Sequence, residues 1–98
     1  MNIILVCNAG MSTGIMKMKL EQESVKRNLD ASVQAIPMSD LDSHIDEADV
    51  ILLGPQIRFA FSKIKSQAKD KYVMTIEPQD FGTMNAPKVM DEIEKNLK

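Results

Sequence analysis

A single cysteine and a single histidine stand in 98 residues. One cysteine excludes an intramolecular disulfide framework and a two-cysteine redox pair, and one histidine beside it falls short of a zinc ligand set, so no metal is expected. Aromatic residues make up 4% of the chain, with no tryptophan, which leaves no base-stacking platform. Twelve basic against fourteen acidic residues give a net charge of -2. That balance offers no bulk attraction to nucleic acid, which is not an expected partner. The longest apolar run, Ile3 to Cys7, is far below the ~20 residues of a membrane span, and no basic stretch leads into a signal-like segment at the N-terminus. A cytoplasmic chain is expected.

What remains is an ordinary globular composition, 44% hydrophobic and 27% charged, at a length that fits one domain over residues 1–98. The first strand reads Asn2 to Cys7, continuously apolar as in a parallel strand covered on both faces. From Met11 onward, Met11, Ile15, Met18, Val25 and Leu29 recur at helical spacing and predict a long amphipathic helix buried along that stripe. A second strand is expected over Ala31 to Met38, at an edge because of Pro37. Ser39 and Asp42 resemble a capping box opening a short helix with Leu41, Ile45 and Ala48 inward.

Val50 to Leu53 is the clearest strand; Gly54 and Pro55 stop it, and a third helix follows with Ile57, Ala60, Phe61, Ile64 and Ala68 on its stripe. Tyr72 to Ile76 reads as a fourth strand and Glu77 to Met84 as a loop. Asn85 can cap a last helix whose inner positions are Val89, Met90, Ile93 and Leu97. Of the eight methionines, Met11, Met18, Met74 and Met90 fall on these stripes and are read as gap filling. Strands alternating with helices predict an α/β three-layer sandwich, a four-stranded parallel sheet with helices on both faces. Alternation permits several strand orders. The order 2-1-3-4 puts the reversal, where ligands bind in such sheets, between the first and third strands.

Those strands end at Cys7 and at Gly54, Pro55 and Gln56. After Cys7 come Asn8, Ala9, Gly10, Met11, Ser12, Thr13 and Gly14, small or hydrogen-bonding except for Met11. Such a loop can fold around an anion, with helix N–H groups and the hydroxyls of Ser12 and Thr13 as donors, and the same field favours thiolate over thiol at Cys7. Phosphate suits it. The alternative is a buried cysteine closing a strand before a tight turn. Gln56 is placed at the crevice rim, as a phosphoryl or partner contact or as a simple helix cap. His44, off the apolar stripe, reads as a solvated surface residue. Phe59 falls opposite its helix's apolar stripe, so it either belongs to a docking surface with Arg58 and Met11 or packs on the loop after the fourth strand.

With C-N-A-G-M-S-T from Cys7 to Thr13, L-L-G-P-Q-I from Leu52 to Ile57 and Asp80, Phe81 and Gly82 before the last helix, the chain closely resembles the enzyme IIB domains of the lactose and cellobiose branch of the bacterial sugar phosphotransferase system. Gly14 stands where that family often has serine. The resemblance implies the order 2-1-3-4 and a phosphoryl carrier. Cys7 would accept the group from a phosphohistidine on a IIA protein, and a IIC membrane permease would present a sugar hydroxyl, of a β-linked disaccharide or oligosaccharide, as acceptor. It implies no metal or organic cofactor, and a cytoplasmic protein transiently at the inner face of the membrane.

The low-molecular-weight tyrosine phosphatases have a similar fold, but their cysteine loop ends in arginine followed by serine or threonine, and no arginine lies between Cys7 and Thr13. Without that guanidinium the loop lacks a bidentate clamp on the equatorial oxygens, which favours persistence of a thiophosphate over its hydrolysis. Asp80 lies where those phosphatases keep a general acid, or serves as a turn residue starting the last helix. Two other readings therefore stand beside the carrier: a small cysteine phosphatase, and a non-catalytic anion-binding regulatory module.

Overall fold

Runs of adjacent apolar residues stay out of water only when both faces of a strand are covered, and the two such runs lie at the centre of the sheet. Asn2–Cys7 forms β1 and Val50–Leu53 forms β3. The computed structural model describes residues 1–7 and 11–96, and at residues 7 and 11–13 the backbone alone. It sets Ser32–Pro37 (β2) beside β1 and Tyr72–Thr75 (β4) beside β3, all parallel, in the expected order β2-β1-β3-β4. Cys7 is level with Pro37, and Leu53 is flanked by Val6 and Thr75. The strands thus finish together along one rim.

Alternate residues of β1 enter opposite cores. Ile3 and Leu5 face α1 (Met11–Lys26) and the later helices α3 (Pro78–Gly82) and α4 (Ala86–Asn96), through Met16, Leu20, Phe81 and Met90. Ile4 and Val6 face two 3-10 turns, Met38–Ser43 and Ile45–Glu47, and the segment after β3, through Leu41, Ile45, Ile57 and Ile64. That segment is a 3-10 turn, Pro55–Ala60, running into α2 (Phe61–Ala68). These are the three layers expected.

Several elements differ in detail from the sequence reading. Helix α1 buries Met16, Leu20 and Ser24, while Ile15, Met18 and Val25, read as core, are 45%, 52% and 76% exposed. The buried stripe was hidden by Ser24, whose hydroxyl donates to the Glu21 carbonyl at 2.8 Å and so enters the core without an unmet hydrogen bond. Leu29 lies beyond the helix. Asn28, at φ 61, closes α1 with Leu29 N–H on Ser24 O and its own N–H on Val25 O, a Schellman end that folds Leu29 back onto the core.

No capping box forms at Ser39 and Asp42. Pro37 precedes the first 3-10 turn and no side chain caps it, though Leu41, Ile45 and Ala48 are buried as expected. The third helix is broken at Ile57 (φ -121, ψ 21), and the segment read as a loop contains α3, whose Pro78 occupies the first turn, where proline is tolerated. Of the methionines read as gap fillers, Met90 is buried and Met74 packs on the core from its edge. Leu97 lies outside the described residues.

Candidate functional site

The rim where the strands end gathers the segments singled out by sequence. Cys7 is the last residue of β1, and α1 begins four positions later at Met11. Asn8, Ala9 and Gly10 lie outside the described residues, as do the side chains of Cys7, Met11, Ser12 and Thr13. Gly14 is exposed in the opening turn of α1, with nothing within 4 Å of where a Cβ would stand. That turn contains no acidic residue. The positive end of a 16-residue helix dipole therefore faces the end of β1 without a carboxylate of its own to offset it.

From the neighbouring strand, Gly54 supplies a close approach. A Cβ at Gly54 would stand 3.1 Å from Gln56 Oε1, 3.6 Å from the Phe81 ring and 4.0 Å from the Val6 carbonyl oxygen. The end of β1, the turn after β3 and α3 thus meet at one point. Gln56 is exposed there, in a groove that it shares with Pro55, Pro78, Phe81, Gly82 and Met84. Its side chain makes no cap on the 3-10 turn. Phe81 was not read as part of the site; its signal was the small residue at Gly54, which leaves room for a ring.

Arg58 and Phe59 project outward from the same turn, Phe59 at 75% exposure. The ring borders a groove on the β2 side of the molecule, beside Pro37, Met38, Leu41, Lys63 and Ile64. Because Pro37 is level with Cys7, this groove starts at the same rim as the cysteine.

Two other candidates are placed elsewhere. His44 Nδ1 lies 2.9 Å from Glu47 Oε1, and the Glu47 carbonyl accepts from Asn2 Nδ2 at the beginning of β1, the opposite end of the sheet from Cys7. Asp80 is 4% exposed; its carboxylate meets Lys88 Nζ at 3.2 Å and Asn85 Nδ2 at 3.5 Å, and its carbonyl accepts from Asn85 N–H at 2.8 Å. Asn85 in turn accepts from the Lys88 N–H at 3.4 Å and caps α4. Asp80 is thereby tied to the start of α4 and faces the groove along β4, not the one containing Gln56.

The family model for the lactose/cellobiose-specific IIB subunit of the phosphotransferase system (PTS) matches residues 2–92. The galactose-specific EIIB component of Lactococcus lactis subsp. cremoris (strain MG1363) is 32% identical over 95 residues, covering 90% of this chain and 88% of the relative. The solution structure of a cellobiose-specific phosphotransferase IIB component from Borrelia burgdorferi superposes with a TM-score of 0.74 at 38% identity, over 93% of this chain and 85% of that one. The lactose-specific IIB domain from Streptococcus pneumoniae has the same fold, with a TM-score of 0.87 at 10% identity, over 100% of this chain and 98% of that one.

Proposed function

Because the chain belongs to the lactose/cellobiose-specific IIB family of the phosphotransferase system, whose components are phosphotransferases, we propose that its 98 residues act as one IIB domain that carries a phosphoryl group on Cys7. The observation that carries this reading is the position of Cys7 at the end of β1, four residues ahead of the start of a helix whose opening turn has no carboxylate, with Gly54 against the Val6 carbonyl and Gln56 at the same rim. The backbone from Asn8 to Gly14, with Ser12 and Thr13, holds the phosphoryl oxygens, and Gln56 contacts them from the rim.

In the loading step the Cys7 sulfur attacks phosphorus on the phosphohistidine of a IIA protein. The S–P bond forms, the P–N bond breaks, and the electron pair returns to the imidazole. In the unloading step a sugar hydroxyl presented by the IIC permease attacks phosphorus, the S–P bond breaks with its electrons returning to sulfur, and the hydroxyl proton leaves to a base or water. A β-linked disaccharide or oligosaccharide is the acceptor, in keeping with the cellobiose-specific relative. Among the described residues no helix is long and apolar enough to cross a membrane. The protein works on the cytoplasmic side and meets the inner face of the membrane through IIC.

Asp80 weighs against the phosphatase reading, since a carboxylate buried against Lys88 and turned to the β4 groove is not presented to the crevice as an acid. Incubation with a phosphorylated IIA-type donor, and separately with an aryl phosphate, separates the readings. A carrier is labelled stably and does not turn over the ester. Turnover of the aryl ester marks a phosphatase, and neither result an anion-binding module.

A further inference from the structure

Strand β4 forms one margin of the sheet, and the hydrogen bonds at its two ends fix the direction of its main-chain groups. Tyr72 N–H donates to Asp49 O at 3.4 Å and Ile76 N–H to Leu53 O at 2.8 Å. In a parallel ladder residues 72, 74 and 76 therefore turn their peptide groups toward β3, while Val73 and Thr75 turn theirs outward. Among the described residues no strand pairs with that outer side. It opens into a groove walled by Phe61 of α2 and by Lys88, Val89 and Glu92 of α4. The opposite margin is blunted: Ser32 N–H donates inward to Met1 O, so the same alternation turns Val33, Ala35 and Pro37 outward, and Pro37 has no N–H to offer. Strand β4 contains neither proline nor a charged residue, the usual protections of an exposed edge.

We propose that this margin pairs with the same margin of a second copy of the chain, antiparallel about a two-fold axis at Met74. Val73 of each copy then faces Thr75 of the other, and the four outward N–H groups and four outward C=O groups are matched in pairs. The same register sets Lys71 of each copy against Glu77 of the other. Glu77 is exposed, and the Lys71 ammonium is engaged only by the Asp46 carbonyl at 3.3 Å among the described residues. A strand from a different protein carrying one sign of charge would match one end of β4 and oppose the other. A second copy matches both. The two-fold leaves the Cys7 rims pointing in opposite directions, and the pairing does not depend on the carrier reading.

Sedimentation equilibrium of the full chain, from about 10 μM to about 1 mM, reads the association directly. The expected result is a mass that rises to twice that of the monomer across this range. Lys71→Glu and Glu77→Lys should each weaken dimerisation by about fivefold or more, and the double variant should restore it, because the exchanged charges face each other again. A monomer at every concentration overturns the proposal. So does a dimer indifferent to both single changes, or one that the double variant fails to restore.

Discussion

Tyr72 is the one tyrosine in a chain without tryptophan, so tyrosinate absorbance reports its ionisation alone. Its ring is half-buried at the start of β4 and its hydroxyl donates to Met74 Sδ at 3.4 Å. Desolvation by burial, and secondarily the Glu92 charge, raise its pKa above the ordinary value. The neutral phenol is therefore favoured by the folded state. Its contribution to stability is complete below the unfolded value, about pH 10, and is lost as the pH rises through the folded value. Alkaline titration should place the midpoint above that of free tyrosine. Glu92→Gln should lower it only in part, since burial is the larger cause. A midpoint at or below the ordinary value contradicts this placement of the ring.

Phe59 offers a second test at the scale of one residue, because an exposed ring contributes little to the core. Phe59→Ala should leave stability within about 0.5 kcal/mol of wild type, read as the thermal midpoint. Transfer from the IIA donor should slow by about fivefold or more, corresponding to ~1 kcal/mol at an interface. Unchanged transfer removes Phe59 from the docking surface. Its exposure was legible in the sequence, since 100° per residue puts position 59 opposite Ile57, Ala60 and Ile64, and the break at Ile57 did not turn it inward. The burial of Asp80 was not legible. A carboxylate between Pro78 and Gly82 reads as a loop residue until Lys88 and Asn85, on the next element, are seen to meet it.

At the scale of elements, α1 presents two apolar series, and only one faces the sheet. Leu20→Ala should cost about 2–5 kcal/mol by opening a cavity in the core, whereas Val25→Ala, at the far surface of the same helix, should stay within about 0.5 kcal/mol. Chemical denaturation of the two variants checks the orientation, and equal losses contradict it. The strands were legible almost to the residue because β1 and β3 are apolar on both faces. The orientation of α1 was not, because the longer apolar series is the outer one and the inner one includes a serine. What fixes the helix is tertiary. Arg27 at its end donates to Glu23 at 2.7 Å and to the Pro87 carbonyl at 3.0 Å, and pairs with Asp91 at 2.8 Å and Glu94 at 2.6 Å. These carboxylates, Glu23 foremost, hold the guanidinium more firmly protonated than usual and bind α1 to α4.

Across the whole molecule the two ends of the sheet are built differently. Around the starts of the strands, polar side chains are used up in fixed partnerships, such as Asn2 with Glu47 and Asp49 and Ser32 with Asn2. At the finishing rim stand Gln56, Arg58 and Phe59, exposed, with Gly54 leaving room beside the end of β1. Helix α1, about 24 Å long at 1.5 Å per residue, spans from one end to the other. That polarity follows from parallel strands whose crossovers all return the chain to the same side. Under the proposed function, this rim is where Cys7 would meet a protein donor and then a membrane-bound acceptor in turn.

The most direct measurement is the intact mass of the protein after exposure to a phosphorylated IIA donor. Wild type should gain one phosphoryl group, and Cys7→Ser none, because an alcohol of far higher pKa is a poor nucleophile toward phosphohistidine. Equal labelling of the serine variant, or an unlabelled wild type, would contradict the assignment of Cys7 as the carrier.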